Sequence, residues 1–517
     1  MNSMNARNSF LRHLLLLVLM AAIPVYAGAQ KKTDSSKPAK SSAPAKPSTP
    51  AQHSTGTSHS PSSTAGHGTA NAPGHGTANT AGHNTTGTPN ASHGPTGAGA
   101  GRGTANAAHG PSGNPKTTPA GVHERQLNGG GTASVRKDGS VRSINKNGMQ
   151  IQRGLHGGRT VVSTRNGARV VSTRHGGYVQ RSYYSRGGRT YVSRTYVVRG
   201  VTYTNVYRSY SYGGYCCYYG YAPAYYYGPA YYGWAYNPWP GPVYYGWGWG
   251  GAPWYGYYGP YWAPYPAYPS AAFWITDWMV AASLQAAYAE QAAEAGALVN
   301  PLGPDLPLIA TLGPVPAPEN AKVALSKEVK DLLAEEVKAQ IAEDQAAAGK
   351  SGGTSSGQAS GGQAASNEPL PSLDPKRRTF VVHNELSVVA DGEECALTEG
   401  DVISRVSDTP DADKNVDVKV LASKKTDCAI GKQVAVSLDD LQEMHNHFRE
   451  QLQGGLDELS KKQGTGGLPK SPDTKKQDGE VTAPPADSSA AKALQDQQSA
   501  ADQTEAEVKQ EAGSGTR

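Results

Sequence analysis

The most informative feature of this 517-residue chain is an absence: no Lys, Arg, Asp or Glu lies between Tyr210 and Tyr268. That stretch holds 20 of the 29 tyrosines, and all eight tryptophans fall between Trp234 and Trp278. Gly and Pro recur in it every few residues, which excludes a long helix and a regular central strand. Cysteine is scarce too: Cys216, Cys217, Cys395 and Cys428 are all there are. A metal site on the vicinal pair Cys216-Cys217 would need further ligands nearby, so oxidation or linkage between chains is their expected fate. No nucleophile–His–acid trio, paired-carboxylate cleft or phosphate loop is recognisable, and the expectation is no enzyme. The nearest approach to a catalytic pair is Glu443 with His447, four apart on a predicted helix, a spacing more often found in packed neighbours than in ligands. No cofactor and no metal are expected.

What is present begins with an export signal over residues 1–29. Arg7 and Arg12 form a positive start, Leu14 to Ile23 an apolar run, and Ala27-Gly28-Ala29 a small-residue cleavage site. The run falls short of the about 20 residues of a membrane span, and no Cys follows the cleavage site, which argues against lipid attachment. The expected location is secreted, periplasmic or associated with the outer envelope. Residues 30–124 read as a disordered His/Gly/Thr/Pro-rich tail with an imperfect octad, Gly-His-Gly-Thr-Ala-Asn-Ala-Pro. Its histidines, among them His53, His59, His67 and His75, are too widely spaced for a defined metal site.

Residues 125–208 change the pattern. Turn glycines recur at Gly139, Gly148, Gly157, Gly167 and Gly176, nine or ten residues apart. Asp138-Gly139, Asn147-Gly148 and Asn166-Gly167 favour tight hairpins, and Arg159–Arg165 is nearly repeated in Ala168–Arg174. A basic antiparallel meander, or a solenoid of the same unit, is predicted. Between Arg125 and Arg208 stand 14 Arg and 2 Lys against Asp138 alone, while residues 277–345 carry −7 and residues 346–517 carry −9. The net +6 of the whole chain therefore hides a basic middle and an acidic C-terminal half. The two parts either pair with each other or with neighbouring copies, or the basic face meets an anionic partner. Arginines on open strands would also block edge-to-edge aggregation.

Three uses are open for the aromatic segment 209–269: a wrap whose rings cover the meander and the next helix, association between copies, or stacking on the sugar rings of a glycan. The contact residues proposed on that basis are Trp234, Trp239, Trp247, Trp249, Trp254 and Trp262, with Arg159, Arg169 and Arg189. A helix is predicted over 270–298, where Asp277 argues against a membrane span. A Pro-rich linker and an amphipathic helix follow over 299–345, with Val329, Leu332, Leu333, Val337 and Ile341 on one stripe.

After a Gly/Ser linker (346–377), residues 378–456 read as a β module closed by a helix that starts at Ser437-Leu-Asp-Asp440. A disulfide between Cys395 and Cys428 is expected to staple it. Residues 457–517 read as a disordered tail. The phrase Leu397-Thr-Glu-Gly-Asp-Val-Ile403 resembles the turn-and-strand of PDZ-like and SH3-like small β domains. From Arg125 to about Leu456 the layout resembles exported bacterial proteins with a Tyr/Trp/Gly/Pro-rich middle and a two-cysteine C-terminal module, a resemblance that implies no activity.

The expected fold class is thus mostly disordered, low-complexity chain with a β-rich repeat region, a small C-terminal α+β module of SH3-like or PDZ-like β type, and two or three isolated helices. The expected function is a structural or adhesive protein of the cell envelope or surface, acting through aromatic and Arg-rich contacts. A polysaccharide- or peptidoglycan-binding protein is the alternative, and an enzyme the outlying one. The partners this implies are an envelope glycan or another copy of the chain, with peripheral membrane contact as a further mode and no transmembrane helix beyond the signal segment. Export argues against nucleic acid.

Overall fold

A computed structural model describes residues 117–173, 176–186, 189–294, 325–351, 369–424 and 427–514. The signal segment, almost all of the His-rich tail, the Pro-rich linker and most of the Gly/Ser linker lie outside these residues.

The basic repeat region forms one ten-stranded antiparallel sheet in which every strand pairs with the next in sequence. Its strands are β1 (His123–Gln126), β2 (Thr132–Val135), β3 (Val141–Lys146), β4 (Met149–Arg153), β5 (Arg159–Arg165), β6 (Ala168–Thr173), β7 (Gly176–Arg186), β8 (Arg189–Val198), β9 (Val201–Tyr212) and β10 (Tyr215–Ala222). Two-residue turns set the register. Lys146 pairs with Met149 and Arg165 with Ala168, because both central residues adopt positive φ, 56° and 70° at Asn147-Gly148 and 51° and 73° at Asn166-Gly167. Of the meander and the solenoid, the chain forms the meander.

The aromatic segment continues as β11 (Tyr225–Tyr227), α1 (Pro229–Tyr236) and α2 (Pro253–Tyr258), each of the two short helices opened by a proline whose missing N–H is not needed there. Then come α3 (Ala271–Glu294) and α4 (Lys327–Ser351). The C-terminal module has a four-stranded sheet of order β12-β15-β16-β17 and a hairpin β13-β14. These strands are β12 (Thr379–Val381), β13 (Leu386–Ala390), β14 (Glu393–Leu397), β15 (Val402–Arg405), β16 (Asn415–Ala422) and β17 (Gln433–Ser437). The long α5 (Leu438–Lys462) closes it; Ser437 caps this helix by accepting from the Asp440 amide at 3.0 Å. Cys395 on β14 is disulfide-bonded to Cys428, with Cα atoms 5.1 Å apart.

The chain is not mostly disordered, and its helices are not isolated. Tyr227, Tyr231, Tyr232, Trp239, Tyr268 and Trp274 pack with Val337 and Ile341 of α4 and with Phe448, Leu452 and Leu456 of α5 in one core. A second core joins Trp254, Tyr258, Tyr261 and Trp262 to Leu284 and Tyr288 of α3 and Leu333 of α4. Three of the rings in this layer place their polar tips on acceptors. The Tyr227 hydroxyl donates to Asp457 at 2.6 Å, the Tyr231 hydroxyl to the Leu456 carbonyl at 2.7 Å, and the Trp247 indole to the Tyr268 hydroxyl at 2.6 Å. On the predicted stripe of α4, Leu332 alone stays exposed.

The C-terminal tail is ordered as well. β18 (Lys476–Asp478) pairs with β11, and α6 (Ala490–Ser514) lies across one face of the large sheet. Ala490 and Leu494 meet Ala168, Val170 and Val179, while Ala501 and Val508 meet Ile144, Met149, Ile151 and Val161. The Gln497 amide donates to Ser163 Oγ at 2.9 Å and to the Val170 carbonyl at 2.8 Å. On the opposite face α5 lies against β10, and Arg194 of β8 and Tyr207 of β9 reach it at Glu443 and Glu450.

Candidate functional site

A cleft of about 70 Å³ opens where four separate parts of the fold converge. The β4–β5 turn and the start of β5 supply His156, Gly158 and Arg159; α2 supplies Tyr258; α3 supplies Glu290 and Gln291; and loops of the C-terminal module supply Glu385, Glu399 and Lys424.

Each wall is held in place by hydrogen bonds the local sequence makes available. The Glu385 carboxylate accepts from the backbone amides of His156 at 2.8 Å and Gly158 at 3.0 Å. That approach requires glycine at 154 and 158, since a Cβ there would sit 2.3 and 2.4 Å from this carboxyl group. Glu399 is presented by the turn Thr398–Asp401. The fully buried Asp401 carboxylate accepts from the Thr398 amide at 2.7 Å and the Lys424 amide at 2.9 Å, and Gly400 takes a φ of 87°. Lys424 donates to Thr398 Oγ1 at 2.8 Å and lies 3.6 Å from Asp401.

Burial raises the Glu399 carboxyl well above the carboxylate range, and Glu290 reinforces this while Lys424 and Arg199 oppose it. The protonated form, a donor as well as an acceptor, is thereby favoured. Two further polar atoms, the Tyr258 hydroxyl oxygen and Gln291 Oε1, are buried without a hydrogen-bond partner among the described residues. Burial, with Tyr257 and Glu399 nearby, raises the Tyr258 phenol, so it too remains a donor. The basic groups on the rim are already engaged: Arg159 pairs with Asp502, and His156 lies 2.5 Å from Asp427. The cleft thus offers uncharged donors and acceptors and the carboxylates of Glu290 and Glu385, which matches hydroxyl groups better than an anion.

No family model, curated protein or solved structure matches the chain.

The residues proposed from the sequence lie elsewhere, with one exception. Trp239, Trp254 and Trp262 are buried in the cores, and Trp234, Trp247 and Trp249 are partly buried in ring stacks, Trp247 on Trp249 at 4.2 Å and Trp234 near Trp239 at 5.8 Å. They form no exposed platform. Arg189 pairs with Glu480, and Arg169 faces α5 near Tyr178 and Glu443. Arg159 alone reaches the cleft. Glu443 and His447 do not form a site together: Glu443 is bound by Arg194, while the His447 ring stacks on His383 at 5.4 Å. Among the described residues no three His, Cys, Asp or Glu side chains gather as metal ligands, and no helix is long and apolar enough to cross a membrane. Sequence reasoning missed Tyr258, Glu290 and Gln291, which carry no local signal. Glu399 sits inside the phrase Leu397–Ile403 and was within reach.

The interface between the large sheet and α5 also carries titrating groups. Burial pushes the Glu450 carboxyl, which accepts from the Tyr207 hydroxyl, up to about 7. Burial pushes His383 down to about 4 and His447 to about 3. A raised carboxyl favours the fold below its unfolded value near 4.5, and that contribution is lost as pH rises toward 7. The depressed histidines act oppositely, losing their contribution as pH falls below about 6.5. Glu450→Gln should remove only the first effect. Between pH 5 and pH 8 the wild type should therefore lose on the order of 1–3 kcal/mol relative to the variant. Urea unfolding at the two pH values measures this, and parallel pH profiles would reject it.

Proposed function

We propose that this chain is an exported envelope protein that binds hydroxyl-rich polysaccharide in the cleft between α2, α3 and the C-terminal module. The observation that carries this reading is that, of the buried polar atoms without hydrogen-bond partners among the described residues, Tyr258 Oη and Gln291 Oε1 belong to the wall of this cleft, beside the Glu399 carboxyl. Buried polar groups are ordinarily satisfied, and a sugar hydroxyl, which both donates and accepts, completes them. The export signal supports the envelope as the place of action. Trp254 and Trp262 then serve as scaffold: they pack with Tyr258, Leu284 and Tyr288 and so fix α2 against α3.

Isothermal titration with neutral glucan oligosaccharides and peptidoglycan glycan strands tests this. Tyr258→Phe and Gln291→Ala should each weaken binding about tenfold, ~1.4 kcal/mol, whereas Trp234→Ala should leave affinity unchanged in protein that remains folded. Unaltered affinity in both cleft variants, or no binding of any of these glycans by the wild type, overturns the reading.

One observation favours a structural or adhesive role between copies. Tyr183 and Tyr184 on β7 and Tyr203 on β9 are 38, 44 and 41% exposed, aromatic surface that a second copy would cover. In that case ligand-free protein oligomerises in sedimentation, and serine at the three positions reverses it.

A further inference from the structure

The face of the large sheet beneath α6 carries a row of cations, each matched by a carboxylate of the C-terminal segment. Arg189 pairs with Glu480, Arg181 with Asp487 at 2.6 Å, Arg159 with Asp502, Arg153 with Glu505, and Lys146 with Glu507 at 3.2 Å and Glu511 at 3.5 Å. Arg125 donates to the Glu511 carbonyl at 3.0 Å. The row runs from β1 to β8, roughly 35 Å at the usual strand spacing, close to the length of a 25-residue helix. The helix that covers it is poorly apolar: Ala490, Ala493, Leu494, Ala500, Ala501 and Val508 are the side chains it packs in or against the sheet's apolar clusters, and only two of these are larger than alanine. Its hold is therefore largely ionic, and ion pairs with a partner as open to solvent as Asp502 (66% exposed) or Glu507 (56%) weaken with salt.

We propose that this face is a binding surface for a linear carboxylate-bearing polysaccharide, and that residues 480–514 are its internal occupant, displaced when the polymer binds. The choice of polymer follows from the occupant. The groups seated on the guanidinium row are carboxylates spaced along a rod, and guanidinium–carboxylate pairing is geometrically specific. A polyuronate repeats that pattern and also releases condensed counterions on binding, which an internal helix cannot do. The segment is tethered by β18 against β11, so it can lift without leaving. This surface is separate from the cleft between α2, α3 and the C-terminal module apart from Arg159, and a different polymer tests it.

The test uses the full chain and polygalacturonate. Asp502→Asn, Glu505→Gln, Glu507→Gln and Glu511→Gln together loosen the occupant while leaving the cations in place, and should tighten polygalacturonate binding at least tenfold at low salt. Arg153→Gln with Lys146→Gln should abolish that gain. In the wild type, added polygalacturonate should speed tryptic cleavage after Lys492 and Lys509 on α6, and high salt should do the same. A neutralised variant that binds no better than wild type overturns the proposal, provided circular dichroism shows it folded. So does wild-type cleavage indifferent to the polymer. Should single-stranded DNA release α6 where polygalacturonate fails, the carboxylate-specific surface is wrong.

Discussion

Replacing Asp277 by alanine should destabilise the fold by about 3–5 kcal/mol, the range found when one partner of a buried ion pair is removed. The carboxylate lies on α3 and is fully buried. It accepts from the Tyr265 amide at 2.5 Å and the Tyr268 hydroxyl at 2.8 Å, and Lys330 Nζ of α4 stands 3.4 Å away. Lys330 in turn donates to the Ala263 carbonyl at 2.7 Å and lies 3.8 Å from the Tyr265 ring centroid. One acid thus pins the end of the charge-free aromatic segment to two helices. Burial raises the Asp277 carboxyl and lowers the Lys330 ammonium despite their mutual attraction, so desolvation outweighs pairing. It follows that losing the whole pair costs less than losing half of it. Asp277→Ala with Lys330→Met should recover most of the loss, and Asp277→Asn, which keeps an acceptor for the two tyrosines, should fall between. Urea unfolding of the three variants forms the cycle; an Asp277→Ala protein within about 1 kcal/mol of wild type would remove Asp277 as the anchor.

The large sheet was legible because its signals are local. Asn-Gly turns at a nine- to ten-residue interval and runs such as Arg159–Arg165 need no distant partner to form hairpins. The aromatic core was not, for the opposite reason. Tyr227 and Tyr231 are buried on acceptors at Asp457 and Leu456, more than 220 residues on, and nothing near the tyrosines announces them. Helix α6 was hidden in a different way. Its Ala/Gln/Glu composition repays little entropy alone, and it is ordered by a complementary surface some 340 residues earlier, as in Arg159 with Asp502. The charge asymmetry of the two halves was plain in the sequence, whereas the residue-by-residue pairing needed the register of both. The cleft was legible only at Glu399, because the other walls come from elements that a linear reading never brings together.

Arg194 provides the second large effect. It is wholly buried on β8, donates from both Nη atoms to the two Glu443 oxygens at 2.7 Å each, and donates from Nε to Gln180 Oε1 at 2.8 Å. Its guanidinium lies 4.0 Å from the Tyr207 ring centroid and 4.5 Å from that of Tyr178. Burial alone would raise the Glu443 carboxyl, yet Arg194 holds it below the ordinary value. Arg194→Ala should cost about 3–5 kcal/mol, because it strands that carboxylate between sheet and helix and opens a void between two rings. Arg194→Lys should still cost about 2 kcal/mol: an ammonium keeps the charge but loses the fork and the planar stack. Near-UV circular dichroism of Tyr178 and Tyr207 should change in both variants, since α5 is attached to the sheet through this group. Full stability in Arg194→Lys would mean that charge alone suffices and the planar geometry is incidental. The same geometry bears on Glu443 as a catalytic candidate: with both oxygens bound to one guanidinium it is engaged in holding α5 to the sheet, and Glu443→Gln should register first as lost stability.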